Sequence, residues 1–232
     1  FGDAAYVRID GRPILPVFGP IYFETAGEWE QILGGLSTRP LLYALPHLVE
    51  STRADGVFGW PPVDGGRSIR PDRWVEYLTN LYTMGGDSTE VMAVAFPGFH
   101  DVYETSYGHI DDRDGATFDE TLAMATASAS TLVQIATWND HGEGTSIEPT
   151  VEFGYRYIEA LQDALGKRAY AAEDLRLPEQ LYTLRKRAAG VTALRSELER
   201  ASEELFAGKL AQARRQLDYV ARQLAKIDGT TN

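Results

Sequence analysis

The chain has 232 residues, enough to bury one sizeable core and still carry an appendage, and its 44% hydrophobic and 24% charged residues are those of a soluble globular protein. A net charge of −12 argues against a nucleic-acid phosphate partner and an anionic membrane surface, and it suits a neutral ligand such as a sugar. There is no cysteine, so disulfides are excluded, and no apolar run approaches transmembrane length. The chain starts with Phe1 and not Met, which reads as a beginning that has been removed.

In chain order, Ile14-Leu-Pro-Val-Phe18 reads as a strand, broken by Gly19-Pro20. Glu28 to Leu36 reads as a helix with Trp29, Ile32, Leu33 and Leu36 on one face. Leu41-Leu-Tyr-Ala-Leu45 is a second strand, ended by Pro46, and Gly56-Val-Phe-Gly-Trp60 a third, ended by Pro61-Pro62. A helix follows from Pro71 to Met84, with Pro71 in its first turn and Gly85-Gly86 as its stop. Val91-Met-Ala-Val-Ala-Phe96 is a fourth strand, ended by Pro97-Gly98. Thr117 to Ala127 reads as a helix in which Thr117 and Glu120 form a capping box. Leu132-Val-Gln-Ile-Ala136 is a fifth strand, and Glu152 to Leu165 a last amphipathic helix.

Strands alternating with helical patterns imply βαβ units and a parallel sheet, and strands that are continuous apolar runs imply that both faces are covered. The expected fold class is therefore α/β, of the (β/α)8 TIM-barrel type. Five such units fall short of the eight of a closed barrel, so a partial barrel is expected over residues 1–170. Its open edge calls for cover by the helical tail, a partner chain or a missing N-terminal segment. From Leu181 to Ile227 the pattern is purely helical: Leu184, Ala188, Val191, Leu194 and Leu198 make one stripe, and Leu217, Val220, Leu224 and Ile227 another. With Gly208 as the turn, residues 171–232 read as a helical hairpin that packs on or caps the rest.

The chemistry gathers where the fifth strand should end. Thr137-Trp-Asn-Asp-His-Gly-Glu-Gly-Thr-Ser-Ile-Glu-Pro149 presents two carboxylates, Asp140 and Glu143, with glycines on both sides of the second. An α/β barrel places its reactive groups at this rim. Other strand ends add His47 and Glu50, Trp60, and Pro97-Gly-Phe-His-Asp101, followed by Tyr103, Tyr107 and the acidic loop around Arg113. Aromatic rings beside carboxylates suit pyranose binding, because rings stack on the C–H faces while polar groups fix the hydroxyls. Paired carboxylates are the equipment of glycoside hydrolysis. Asp140, Glu143, Trp60 and His47 are expected in one cleft, with Trp138, Asn139, His141, His100, Asp101 and Arg113 as further sugar contacts. His100-Asp101 lacks the accompanying ligand spacing of a metal site, so neither a metal nor another cofactor is expected. Each residue also has a plain reading. Arg113 among three aspartates can be a surface ion pair, and Glu148 can simply brace its loop.

Three motifs carry a family resemblance. Thr137-Trp-Asn-Asp-x-Gly-Glu143 resembles the signature of glycoside hydrolase family 71, the α-1,3-glucanases. Its continuation Glu143-Gly-Thr-x-Ile-Glu-Pro149 resembles family 99, the endo-α-mannosidases, whose version reads Asn-Glu-Trp-His-Glu-Gly-Thr-Gln-Ile-Glu. Pro97-Gly-Phe-His-Asp101 with Arg113-Asp-Gly115 is similar to the family-99 segment Pro-Gly-Tyr-Asp-Asp … Arg-x-Gly, and Asp10-Gly-Arg-Pro13 before a strand fits both groups. The resemblance covers residues 5 to 165 and implies the C-terminal part of a metal-independent barrel glycosidase, secreted or periplasmic, acting on an α-linked glycan. It implies Glu143 as general acid/base and Asp140 as the base that assists the substrate 2-hydroxyl. Asp140 stands where family 99 has Glu, a side chain shorter by about 1.5 Å, which matters for near-attack geometry. The competing expectation is a relative, or a fragment, that binds glycan without cleaving it, or a structural protein built on the helical hairpin.

Overall fold

The computed structural model describes residues 1–19, 22–63, 65–86, 89–102, 107–166 and 170–229; Tyr103 lies outside them. The chain divides into two compact units, Phe1–Ala164 and Leu165–Asn232.

The first unit begins with a hairpin of β1 (Arg8–Ile9) and β2 (Arg12–Val17). Its two-residue turn is Asp10-Gly11, both at positive φ, the conformation a tight hairpin of this hand requires. There follow α1 (Ala26–Leu33), β3 (Leu41–Ala44), the single turn α2 (Val49–Thr52), β4 (Gly56–Phe58), α3 (Pro71–Tyr82) and β5 (Glu90–Ala95). A short antiparallel ribbon, β6 (Phe99–His100) with β7 (His109–Ile110), precedes α4 (Ala116–Ala127), β8 (Leu132–Ile135) and α5 (Arg156–Ala164). The six-stranded sheet has the order β1-β2-β3-β4-β5-β8, and every pair after the first is parallel. Parallel strands laid down in chain order, with the crossovers between them, curl into a partial (β/α) barrel. All five strand ends therefore open onto one rim, the end where Trp60 and the 137–149 loop emerge.

The two faces of the sheet are packed differently. Val57, Val91 and Val94 meet Trp74, Leu78 and Leu81 of α3, and Ala93 and Ala95 meet Phe118, Leu122 and Tyr157 of α4 and α5. Leu41, Tyr43, Phe58 and Met92 form a separate cluster without a buried helix residue. Gly56 is required there: a Cβ at this position would come within 2.3 Å of the Tyr43 ring.

Two helix starts differ from expectation. Thr117 does not cap α4; Gly115 does, at φ 94, and Thr117 sits inside the first turn donating its hydroxyl to the Asp111 carbonyl at 2.6 Å. Glu120 is drawn to Arg113 instead. A capping box occurs at α1, where Thr25 accepts from the Glu28 amide and the Glu28 carboxylate accepts from the Thr25 amide.

The second unit holds α6 (Ala172–Leu175), α7 (Leu177–Arg187), α8 (Arg195–Phe206) and α9 (Leu210–Gly229). The hairpin of α8 and α9 forms as expected, but α7 joins its core, so Leu181 and Leu184 pack with Leu198, Leu217, Val220 and Leu224 in a three-helix unit. The break comes at Gly190 and the short 3-10 turn Thr192–Leu194. Ile227 stays exposed. Gly208, between α8 and α9, has φ 68, where a Cβ crowds the following carbonyl. Gly208→Ala is expected to cost this unit about 1 kcal/mol, read as a lower urea midpoint with an unchanged slope. No helix among the described residues is long and apolar enough to cross a membrane.

Candidate active site

The loop after β8 folds back on itself through main-chain bonds. The Thr137 amide donates to the Thr145 carbonyl at 2.9 Å, and the Ile147 amide returns to Thr137 at 3.1 Å. The Thr137 hydroxyl accepts from the Asp140 amide at 2.9 Å and shares a hydrogen with the Thr145 hydroxyl at 3.0 Å. One Asp140 oxygen, Oδ1, accepts from the Glu143 amide at 3.0 Å, so the aspartate pins the turn that presents the glutamate. Gly144 is at φ 63 and passes so close to His100 that a Cβ would lie 3.1 Å from its carbonyl oxygen. Glycine is needed here on both counts.

Glu143 points to the end of β4. Trp60 Nε1 donates to Glu143 Oε2 at 3.2 Å, across 83 positions of sequence. Trp60 is itself anchored, its amide donating to the Tyr77 hydroxyl of α3 at 3.3 Å. The Phe18 ring, just past β2, lies 4.8 Å from the Trp60 ring at 60°. Gln134 of β8 donates its side-chain amide to the Gly59 carbonyl, tying the two strand ends together. Half-burial drives the Glu143 carboxyl above its ordinary range; the indole bond opposes this, and the negative charges of Asp140 and Asp101 add to it.

A belt of main-chain bonds crosses the rim. The His100 amide donates to the Glu143 carbonyl at 2.7 Å and the Val102 amide to Gly142 at 2.9 Å. On the other side of the ribbon, the His109 amide donates to Arg67 at 2.9 Å and the Ile69 amide to His109 at 2.7 Å. The two imidazoles face each other, Nδ1 to Nδ1, at 3.2 Å. Loops from the ends of β4, β5 and β8 are thus stitched side by side beneath Glu143.

Direct contacts join some of the expected site residues and not others. Trp60, Glu143 and Asp140 come together, with Asp101 near enough to act on the Glu143 charge and His100 bound through its backbone. Trp138 is 53% exposed, and the indole that bonds to Glu143 is that of Trp60. Asn139 is exposed, and His141 turns to Glu148, 3.4 Å away. His47 sits exposed on the turn after β3 and makes no hydrogen bond or ion pair among the described residues. Arg113 packs against the helices: its guanidinium lies 5.7 Å from the Trp74 ring centre and bonds to Thr117 and Glu120. Sequence reasoning passed over Phe18, Tyr77 and Gln134. Phe18 carries the one usable signal, an aromatic ring at a strand end, as Trp60 does. Among the described residues no group of three or more His, Asp or Glu is placed to hold a metal ion.

No protein-family profile matches the sequence, and no curated protein matches it either. Solved structures do. One is an endo-α-mannosidase of glycoside hydrolase family 99 from Bacteroides thetaiotaomicron, in complex with bis-tris-propane: 16% identity, 72% of this chain and 62% of that one, TM-score 0.51. Another is described as a glycoside hydrolase-like protein: 12% identity, 70% of this chain and 56% of that one, TM-score 0.52. The chain spans less than two thirds of the length of either. What it shares with them is the fold, that of a glycoside-hydrolase-type (β/α) barrel in partial form.

Proposed function

We propose that this chain is the acid/base-bearing part of a glycoside hydrolase acting on an α-linked glycan, α-mannan or α-glucan. The observation that carries the reading is the Glu143 carboxyl, half-buried at the barrel rim, held by the Trp60 indole and pushed toward its protonated form. A carboxyl kept protonated can donate to the glycosidic oxygen as the bond breaks. Asp140 assists attack at the anomeric carbon, using the oxygen that is not pinned to the Glu143 amide. The fold likeness to an endo-α-mannosidase and the motifs of the 137–149 loop support an α-linked substrate. A further segment or a partner chain would complete the barrel beside β8.

A second reading, a glycan-binding relative without turnover, is favoured by one contact. The Asp140 bond to the Glu143 amide holds the loop whether or not any chemistry follows.

Hydrolysis of α-linked gluco- and manno-oligosaccharides by Asp140→Asn and Glu148→Gln separates the two. Asparagine keeps an oxygen acceptor for the Glu143 amide, so the turn survives while the base is lost. kcat is expected to fall about 10²-fold or more. The charge that raises the Glu143 pKa is also lost, so the alkaline limb of the pH profile moves to lower pH. Glu148 is paired with His141 at the edge of the loop, and its Gln variant is expected to lose less than about tenfold. Wild-type turnover in Asp140→Asn would remove Asp140 from the reaction, and absence of hydrolysis in the parent chain would favour the binding relative.

A further inference from the structure

We propose that Phe18 is a sugar-stacking residue of this site, forming with Trp60 an angled aromatic corner that seats a hexopyranose ring beside Glu143. The assignment rests on the glycosidase reading for its chemistry, but its geometry is independent of turnover.

Phe18 follows the last residue of β2, at the same rim as Trp60 and Glu143, and its side chain is 58% exposed. The ring is not part of a buried cluster: beside it on β2, Pro16 is exposed and Val17 only half-buried. The ring is nonetheless held: it lies 4.8 Å from the Trp60 ring at 60°. Two rings at that angle bound a wedge with two apolar walls, and the C–H face of a pyranose stacks on such a wall. The indole N–H is already committed to Glu143 at 3.2 Å, so Trp60 offers its face rather than its donor. Gly19, the next residue, has φ 58, a conformation that favours glycine. Phe18 has no polar atom, so it supplies affinity and orientation without reading hydroxyls. Choice among hexoses falls to the carboxylates and to His100 and Asp101 nearby.

The same contacts give the order of the parts along a bound glycan. Phe18 touches Trp60, and Trp60 touches Glu143. A sugar stacked in the corner therefore lies beside the carboxyl that the Trp60 indole holds. Loss of the Phe18 wall should weaken binding of the reacting sugar and lower kcat/KM together.

The test uses the full chain and α-1,3-linked gluco- and manno-trisaccharides. Affinity is measured by calorimetry in a Glu143→Gln background, and kcat/KM in the otherwise unmodified protein. Phe18→Ala is expected to weaken binding about tenfold, and Phe18→Tyr, which keeps the flat ring, by no more than about twofold. Phe18→Leu keeps apolar volume without a flat face; it should retain the parent melting temperature and still bind as poorly as Phe18→Ala. Parent-like affinity in Phe18→Leu or Phe18→Ala overturns the proposal, even where the parent chain hydrolyses the trisaccharide. Phe18-dependent binding without hydrolysis sustains it and overturns the glycosidase reading instead. A parent chain that binds neither trisaccharide overturns both.

Discussion

Glu143→Gln is expected to lower turnover of α-linked oligosaccharides by about 10³-fold while leaving their affinity largely intact. The substitution is close to isosteric, and the glutamine side-chain oxygen can still accept the Trp60 indole N–H that now meets Glu143 at 3.2 Å. What is lost is the proton. If Glu143 is the donor, the active form of the parent is the protonated one, so activity is fully present at low pH on this limb and disappears as pH rises through the raised Glu143 pKa. Glutamine does not titrate, so the residual rate of the variant should have no such alkaline limb. Kinetics across pH, together with calorimetric titration of the trisaccharides, check both points. Undiminished turnover in the variant would end the assignment of Glu143 as donor.

Trp74→Ala should cost the barrel unit about 3–5 kcal/mol, the range for deleting a large aromatic from a packed core. Trp74 is almost fully buried on α3, edge-on to Phe96 with ring centres 6.2 Å apart, and it packs with Val57 and Leu78. Arg113 lies over the same indole, so its cation–π contact goes too. Phe96 leads directly into the ribbon that carries His100, and the cavity would therefore open under the rim. Urea unfolding followed by far-UV dichroism measures the change. A loss below about 1 kcal/mol would mean that the site collapses without leaving a cavity.

The five parallel strands were legible because each is a mostly apolar run stopped by Pro, Gly or a polar residue; Leu41–Ala44 and Glu90–Ala95 are buried almost throughout. Strands of two residues carry no period, so β6 and β7 had no signal, and neither did the single turn α2. Asp10-Gly11 did carry one, a hairpin turn, but it was absorbed into the motif that contains it. Thr117 and Glu120 matched a cap pattern that the left-handed Gly115, two residues earlier, pre-empted. At the site, strand-end position located Trp60 and Glu143 but gave no direction to side chains further along the loops. Arg113 follows a backbone at positive φ that turns it back over α3. Phe18 carried the signal of an aromatic ring at a strand end, but an apolar residue there reads equally as one more residue of the strand.

The belt beneath Glu143 is made by main-chain groups: Arg67 and Ile69 hold His109, and His100 holds Glu143. Side chains along it therefore answer to different demands than its backbone does. Outside the close glycine contacts, residues on the ribbon can be exchanged while the His100 amide that fixes the Glu143 carbonyl stays in place. A lineage inheriting this rim can vary the surface around Glu143, one side chain at a time, without first rebuilding the backbone that supports it. Laboratory libraries confined to the ribbon's outward positions should yield folded variants at a higher frequency than libraries that include Gly98 or Gly144.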